Sequence, residues 1–206
     1  MTDLEVVVAG GGNAALCAAI TARENGAAVT LFESAPRNMR GGNTRHTRNL
    51  RASHIGPLET LEESYSEDEF WDDILKVTQG NTDEKLTHLM IKQSSSLMSW
   101  LKERDVHFQP ALSGTLSLHR TNAFFLGGGK TLLNKLYSHA EKIGVKVRYD
   151  SEITSVSISN NRAHSIEVKT ATDTTTYGIK HLIAASGGFQ SNEEWMREAW
   201  GKKADN

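Results

Sequence analysis

The glycine-rich segment near the N-terminus combines residue types and spacing that suit phosphate binding. Residues 6–15 read VVVAGGGNAA, which places Gly10, Gly12 and Ala15 in a G-x-G-x-x-A pattern. Gly10 permits a tight turn, Gly12 lets the backbone approach a pyrophosphate, and Ala15 lets the following helix pack closely on the strand. A helix that begins at this turn points backbone N–H groups and the positive end of its dipole at the bound anion.

Glu33 supplies the second part of this prediction. It ends the next apolar segment. An acid about 20 residues after a glycine turn is placed to accept hydrogen bonds from a ribose hydroxyl. An acid there also disfavours a 2′-phosphate, because two negative charges would meet. The pattern favours adenine dinucleotide binding, and the alternative interpretation is a glycine turn with a packing role only.

The elements around this turn must bring the glycines and the acid to one edge of a sheet. Residues 4–9 form a Val-rich run typical of a buried strand, and residues 13–25 suit a helix that ends at Gly26. Residues 28–33 form a second buried strand. Strand, helix and strand within about 30 residues predict a βαβ unit with parallel strands and a right-handed crossover.

Two helices are predicted in an excursion over about residues 59–105. Ser66 and Glu69 have the spacing of a capping box for a helix that ends near Val77. Thr82 is predicted to cap a longer helix. Apolar residues recur in it at helical spacing and predict its buried face: Leu86, Leu89, Met90, Leu97, Trp100 and Leu101. We expect this pair of helices to lie outside the main sheet.

The last third of the chain returns to strands. A helix is predicted over residues 131–143, followed by a strand over residues 145–149. Alternating residues then predict an antiparallel meander over about residues 152–179, with strands at 153–159, 163–170 and 174–179. A further buried strand is predicted over residues 181–185. The sequence thus predicts an α/β fold in which a Rossmann-like parallel sheet is joined to an antiparallel β-meander.

Composition excludes several classes of protein. The chain has 206 residues, with 23 Lys and Arg against 25 Asp and Glu, so it has no overall attraction for nucleic acid or an acidic membrane. We expect neither a signal peptide nor a membrane span, because the first residues lack a basic n-region and the apolar stretch that follows is broken by glycines. Cys17 is the only cysteine, and no His/Cys cluster has metal-ligand spacing. We expect a cytoplasmic protein without metal, membrane span or nucleic-acid partner.

The second glycine cluster resembles a nucleoside triphosphate motif but does not match it. Residues 127–131 read GGGKT, whereas the G-x-x-x-x-G-K-[ST] pattern requires glycine at the position of Phe124. We favour a turn at the start of a helix over triphosphate binding.

Four motifs in order resemble the flavoprotein subunit family of succinate dehydrogenase and fumarate reductase. They are the dinucleotide fold that ends in Glu33, the Gly41-Gly42-Asn43-Thr44 loop, the Gly128-Gly129 turn before a helix, and residues 185–192. The resemblance covers nearly the whole chain. Within the family, residues 41–51 are most similar to tricarballylate dehydrogenases.

The resemblance implies a single FAD-binding domain over residues 1–206. It implies that these residues contact the cofactor: Gly10, Gly12, Asn13, Ala14, Ala15, Glu33, Ser34, Gly41, Gly42, Asn43, Thr44, Ala185, Ser186 and Gly187. In the respiratory members a histidine holds FAD covalently, and Asn43 rather than His46 aligns best with it, so non-covalent FAD is expected. Residues 47–49 differ from the small residues common in relatives, which leaves the flavin contacts there open.

Arginine is concentrated after the predicted βαβ unit. Residues 34–57 contain five arginines and no acid, whereas residues 59–73 contain eight acids and no Lys or Arg. One interpretation is that the arginines neutralise the cofactor phosphates and pair with the acidic segment. The other is that Arg45 or Arg48 binds a substrate carboxylate through two parallel hydrogen bonds.

The reaction implied by the resemblance is hydride transfer between flavin and a di- or tricarboxylate such as tricarballylate, with an unidentified electron acceptor. His46 and His54 could move protons near pH 7, but we favour solvated loop histidines. In the family, the proton-carrying arginine and a capping domain follow the strand that ends at Gly187, so we assign no catalytic residue. We expect the first half of an FAD site, incomplete at the C-terminus and inactive alone. The alternative is a silent nucleotide-binding remnant or a half-protein that needs a complementing chain.

Overall fold

The computed structural model describes residues 3–111 and 118–201, and the chain divides into two compact units. The first unit contains Met1–Gly42 and Ala140–Asn206, and the second contains Asn43–His139. None of the helices in the described ranges is both long and apolar enough to cross a membrane.

In chain order the elements are β1 (Leu4–Ala9), α1 (Asn13–Glu24), β2 (Val29–Phe32), β3 (Asn49–Arg51), α2 (Glu67–Thr78), α3 (Glu84–Lys102), β4 (Asn122–Phe124), α4 (Gly128–Lys142), β5 (Lys146–Arg148), β6 (Glu152–Ser159), β7 (Arg162–Lys169), β8 (Thr174–Ala184) and α5 (Glu193–Trp200).

The first unit is built on a six-stranded sheet in the order β5-β2-β1-β8-β7-β6. β1 pairs in parallel with both β2 and β8, and β2 pairs in parallel with β5. β6, β7 and the first half of β8 form an antiparallel meander. The predicted α/β class, with a parallel sheet joined to an antiparallel meander, is confirmed.

The predicted βαβ unit forms because its strands are covered on both faces. Val7, Val8 and Leu31 are completely buried, as expected for strands of a parallel sheet. After α1, Gly26 adopts a φ of +93°, a conformation that favours glycine. The chain then enters β2 in parallel register with β1, with Val7 opposite Thr30.

β8 differs from the prediction of two strands. The sequence predicts a meander strand over residues 174–179 and a separate buried strand over residues 181–185, whereas the structure has one strand, Thr174–Ala184. Its first half pairs with β7 and its second half with β1. The two predicted strands are continuous because Lys180, which follows Ile179, is not a typical turn residue. The second half is partly exposed rather than buried, and Ile179 is the buried residue of this strand.

The second unit contains the predicted helices α2 and α3 and a two-stranded antiparallel sheet of β3 and β4, which sequence periodicity does not indicate. Ser66 caps α2 as predicted, because its hydroxyl accepts a hydrogen bond from the Glu69 amide at 3.1 Å. The carboxylate of Glu69 forms an ion pair with Arg120. The sequence does not indicate the β3–β4 pair, because strands of three residues are too short to show a period.

The predicted cap of α3 is wrong by one residue. Asp83, not Thr82, is the N-cap, and its carboxylate accepts from the Leu86 amide at 2.9 Å. Asp is the stronger N-cap of the two residue types. The Thr82 hydroxyl instead lies 2.8 Å from the Thr87 hydroxyl.

The predicted buried face of α3 is correct only in part: Leu101 is buried as predicted, and Leu97 and Trp100 are half-buried. Leu86, Leu89 and Met90 are exposed. The buried positions include two hydroxyl residues and are Thr87, Ile91, Ser94, Met98 and Leu101. The Ser94 hydroxyl accepts a hydrogen bond from the Ser53 amide at 3.0 Å. A helix face that buries satisfied hydroxyl groups does not stand out as an apolar stripe, so periodicity gave the wrong residues in the first half of α3.

Candidate functional site

The glycine turn lies at the carboxyl ends of three adjacent parallel strands. The Gly10 amide donates to the Phe32 carbonyl at the end of β2, at 2.8 Å. The Ala185 amide, just after β8, donates to the Ala9 carbonyl at 2.9 Å. Parallel strands place their carboxyl ends at one edge of the sheet, and ligands of open α/β sheets bind outside that edge.

Gly10 is required by close approach of the backbone. It adopts a φ of +113°, and an added Cβ would overlap the carbonyl oxygen of Ala185 and touch the Cα of Ser186. The glycine turn and residues 185–186 are therefore neighbours, although they lie far apart in the sequence. The family resemblance implies that both contact one cofactor. Gly187 continues this segment with a φ of +81°.

The N-terminus of α1 is open to an anion. Its N-cap, Gly12, provides no side-chain hydrogen bond, and the first turn contains no acid. The first intrahelical bond runs from the Leu16 amide to the Gly12 carbonyl at 3.0 Å. Asn13 and Ala14 are exposed, whereas Ala15 is buried against the fold. A helix terminus without a side-chain cap and without negative charge suits a pyrophosphate.

Glu33 lies at the same sheet edge and is 6% exposed. One carboxylate oxygen accepts from the Ala35 amide at 3.0 Å and from the Ser34 hydroxyl at 3.4 Å. The other accepts from the Gly41 amide at 3.1 Å. The acid that the sequence analysis assigns to the ribose therefore also fixes both ends of the loop that follows it.

In the second unit, the segment that follows Gly42 is seated on the start of α4. The Gly129 amide donates to the Thr47 carbonyl at 2.8 Å, and a Cβ on Gly129 would overlap the carbonyl oxygen of Thr44. The glycine cluster 127–129 is thus a turn at a helix start, as predicted. Its third glycine, Gly129, lets the backbone of the 3-10 turn Gly42–His46 come close to the start of α4.

The arginines of residues 34–57 have different partners. Arg51 donates to the Asp73 carboxylate at 3.3 Å and to the Tyr65 hydroxyl at 3.2 Å, which agrees with the expected pairing to the acidic segment. Burial, followed by the hydrogen bond to Asp73, raises the pKa of Tyr65 to about 12. Arg45 is half-buried, whereas Arg48 is exposed and its side chain has no hydrogen-bond or ion-pair partner within residues 3–111 and 118–201.

The prediction of two solvated loop histidines holds for one of them. His46 is exposed, but His54 is only 7% exposed. The Nδ1 atom of His54 lies 3.0 Å from the Ala52 carbonyl oxygen, while Nε2 has no partner among the described residues. The backbone of His54 pairs with Tyr65 in an isolated bridge. A sequence without a visible strand period gives no sign of this pairing or of the burial of His54.

Over residues 5–206 the chain matches the model of the family described as FAD binding domain, and it belongs to that family. It is 27% identical over 202 residues to an NADH:fumarate oxidoreductase of Klebsiella pneumoniae (strain 342), covering 91% of this chain and 21% of that protein. It is 26% identical to the probable fumarate reductase Ifc3 of Shewanella frigidimarina (strain NCIMB 400), covering 93% of this chain and 33% of that protein. The chain therefore spans about a fifth to a third of these curated relatives.

The fold is shared with a solved structure. The 3-ketosteroid-delta4-(5alpha)-dehydrogenase from Rhodococcus jostii RHA1 superposes with a TM-score of 0.81 at 21% identity, covering 97% of this chain and 49% of that one. An identity this low establishes a common fold only.

The residues of the sheet edge fit the FAD that this family binds. Gly10 leaves room for close backbone approach, the α1 terminus attracts the phosphates, and Glu33 suits a ribose without a 2′-phosphate. Among the described residues, no group of three or more His, Cys, Asp or Glu side chains could hold a metal ion.

Proposed function

We propose that this chain is the nucleotide-binding part of an FAD-dependent oxidoreductase of the fumarate reductase and succinate dehydrogenase type. The observation that carries the proposal is the meeting of the Gly10 turn, the open α1 terminus and Glu33 at one sheet edge, in a chain that matches the FAD binding domain family over residues 5–206. When bound, FAD supplies hydride-transfer chemistry. We also propose that the two units belong to one FAD-binding domain.

The proposed cofactor contacts follow from the geometry of each segment. The amides at the start of α1 would bind the pyrophosphate, and the carboxylate of Glu33 with the exposed hydroxyl of Ser34 would bind the adenosine ribose. The remaining proposed contacts are Gly41, Gly42, Asn43, Thr44, Ala185, Ser186 and Gly187. Because Asn43 cannot form a histidyl linkage, we propose that FAD is held non-covalently.

The proposed substrate is a di- or tricarboxylate such as tricarballylate, and Arg48 is the proposed carboxylate-binding residue. An exposed guanidinium with no partner in the described residues is available to bind a carboxylate through two hydrogen bonds. Arg45 is the second candidate, although it is half-buried. The names of two relatives support this class, because both refer to fumarate reduction. A third relative, 24% identical, is a vinyl phenol reductase of Lactiplantibacillus plantarum, which makes a vinyl phenol the comparison substrate. The electron acceptor is unassigned, and a cytoplasmic location remains a prediction.

The experiment that tests the proposal is a flavin titration followed by a redox test. The purified chain is titrated with FAD, and the bound flavin is reduced anaerobically with dithionite. Fumarate, aconitate and, for comparison, a vinyl phenol are then added separately. We expect FAD that is released on denaturation, and flavin reoxidation by fumarate or aconitate if the chain holds the substrate site.

The two alternatives give different results in the same experiment. A chain that does not bind FAD contradicts the proposed function. A chain that binds FAD, but leaves the reduced flavin inert towards every acceptor, supports the half-protein hypothesis. Reoxidation by the vinyl phenol alone would contradict the proposed carboxylate substrate while leaving the oxidoreductase class intact.

A further inference from the structure

Residues 34–41, which we call the Glu33 loop, lack apolar anchors. No side chain between Ser34 and Arg40 is buried, and Met39 is 54% exposed. Polar contacts must therefore determine the conformation of this loop. The carboxylate of Glu33 provides one set, through the amides of Ala35 and Gly41.

A second set of contacts holds the C-terminal end of the loop from outside the dinucleotide motif. Arg40 donates to the phenol oxygen of Tyr149 at 3.0 Å. The phenol in turn donates to the Glu141 carboxylate at 3.3 Å. Arg37 lies 3.9 Å from the same carboxylate. All of these groups belong to the first unit.

The backbone around Tyr149 runs alongside the loop and keeps the phenol in place. The Asp150 amide donates to the Ala35 carbonyl at 3.3 Å, and the Ser151 amide donates to the Glu33 carbonyl at 3.1 Å. Burial of the half-buried Tyr149 raises the pKa of its phenol above the ordinary value. The phenol is protonated at neutral pH, as an ordinary tyrosine is, and donates to Glu141.

We infer that Arg40, Tyr149 and Glu141 form a positioning network that pre-organises the Glu33 loop to bind the adenosine end of FAD. This inference rests on the proposed contacts of Glu33 and Ser34 with the ribose. A loop that is already ordered loses less conformational entropy when the cofactor binds, so the network raises affinity without touching the cofactor. None of these three residues belongs to the motifs that define the dinucleotide turn.

Tyr149→Phe tests the inference because it removes one hydroxyl and keeps the ring. The matched control is Tyr177→Phe in β8, whose ring packs against Phe32 at 5.7 Å and whose hydroxyl has no partner within the described residues. The dissociation constants of FAD and of ADP are measured for both variants, together with the thermal midpoint of the FAD-free protein. ADP serves as the probe of the adenosine half.

For Tyr149→Phe we expect about a three- to tenfold higher dissociation constant for both FAD and ADP, the effect of one lost hydrogen bond. The thermal midpoint of the FAD-free protein should stay close to that of the native chain, and Tyr177→Phe should bind both ligands normally. A lower thermal midpoint with unchanged affinity would mean that the network is only structural, and it would overturn the inference.

A double-mutant cycle with Arg40→Ala separates positioning from simple charge attraction. If the three side chains act as one unit, the double variant Arg40→Ala/Tyr149→Phe binds FAD no more weakly than Arg40→Ala alone. Additive losses would overturn the network. A native chain that failed to bind FAD would overturn the proposed function itself, whereas normal FAD binding by Tyr149→Phe would overturn only this inference.

Discussion

The Gly41 amide donates a hydrogen bond to the Glu33 carboxylate at 3.1 Å and closes the loop between them. The other carboxylate oxygen accepts from the Ala35 amide at 3.0 Å. A single buried side chain thus holds both ends of a loop that is proposed to contact the ribose and the phosphates. Glu33 therefore has a structural role in addition to its proposed role in binding the cofactor.

Glu33→Gln is expected to weaken FAD binding by about tenfold or more and to destabilise the fold by about 1–3 kcal/mol, because the neutral amide accepts fewer and weaker hydrogen bonds. FAD titration and chemical unfolding measure the two effects. The matched control is Glu5→Gln, since the Glu5 carboxylate also accepts from a backbone amide, that of Ala28 at 2.8 Å. Glu5→Gln should lower the folding stability and leave the FAD affinity unchanged. Equal affinities for the native chain and Glu33→Gln would contradict the ribose-binding role.

Gly10→Ala is expected to cost roughly 2 kcal/mol or more of folding stability and to abolish FAD binding. The added Cβ would overlap the Ala185 carbonyl oxygen and must displace the backbone beside the turn. Gly26→Ala is the control, because Gly26 also has a positive φ of +93° but no atom within 4 Å of an added Cβ. It should lose only the conformational cost, about 1–2 kcal/mol, and retain FAD binding. Similar behaviour of both variants in thermal unfolding and titration would show that close approach at Gly10 is unimportant.

Arg48→Ala is expected to raise the dissociation constant or KM of a tricarboxylate by about tenfold or more, with FAD affinity unchanged, because a charge-assisted bidentate contact is lost. The KM measurement requires a form of the protein that catalyses oxidation or reduction of the carboxylate. Arg162→Ala, at an exposed arginine of β7, controls for the loss of one positive charge. Unchanged carboxylate affinity in Arg48→Ala would lead us to abandon Arg48 as the substrate-binding residue.

Glu69→Gln is expected to lower the thermal midpoint at pH 7 and to have little effect at low pH. The hydrogen bond and ion pair with Arg120 hold the pKa of Glu69 below its ordinary value of 4.5. The stabilisation is therefore fully present above pH 4.5 and is lost as the pH falls through the lower pKa of the folded state. Thermal unfolding of both proteins from pH 7 downward measures the difference, which should narrow with acid. Glu67→Gln, in the same first turn of α2, controls for the loss of one negative charge near the helix N-terminus.

Local signals account for the parts of the fold that sequence analysis predicted correctly. The Val-rich run before Gly10, the helix ended by Gly26 and the acid at Glu33 have short-range causes, namely burial on both faces, the helix C′ position and motif spacing. The resulting βαβ unit and its sheet edge are present in the structure.

Contacts between distant residues account for what the sequence did not reveal. The hydroxyl of the buried Ser94 is satisfied by the distant Ser53 amide, and Ala123 is buried in the three-residue strand β4, which pairs with the distant β3. Tyr149 approaches Arg40 because β5 lies next to β2. The carboxyl ends of adjacent parallel strands meet at one edge of a sheet. If the pairing of β5 with β2 had been predicted, Tyr149, the residue after β5, would have been placed near the Glu33 loop.

The continuity of β8 constrains how this protein can change during evolution. Residues 174–178 are registered against β7, and Ile179 and residues 181–184 are registered against β1. Deleting or inserting one residue between these two parts would turn one half of the side chains to the opposite side of the sheet, or would move Ala185 away from Gly10. The length of β8 should therefore tolerate little variation, whereas the turn at Asn160-Asn161, at the far end of the meander, can accept insertions without altering that registration.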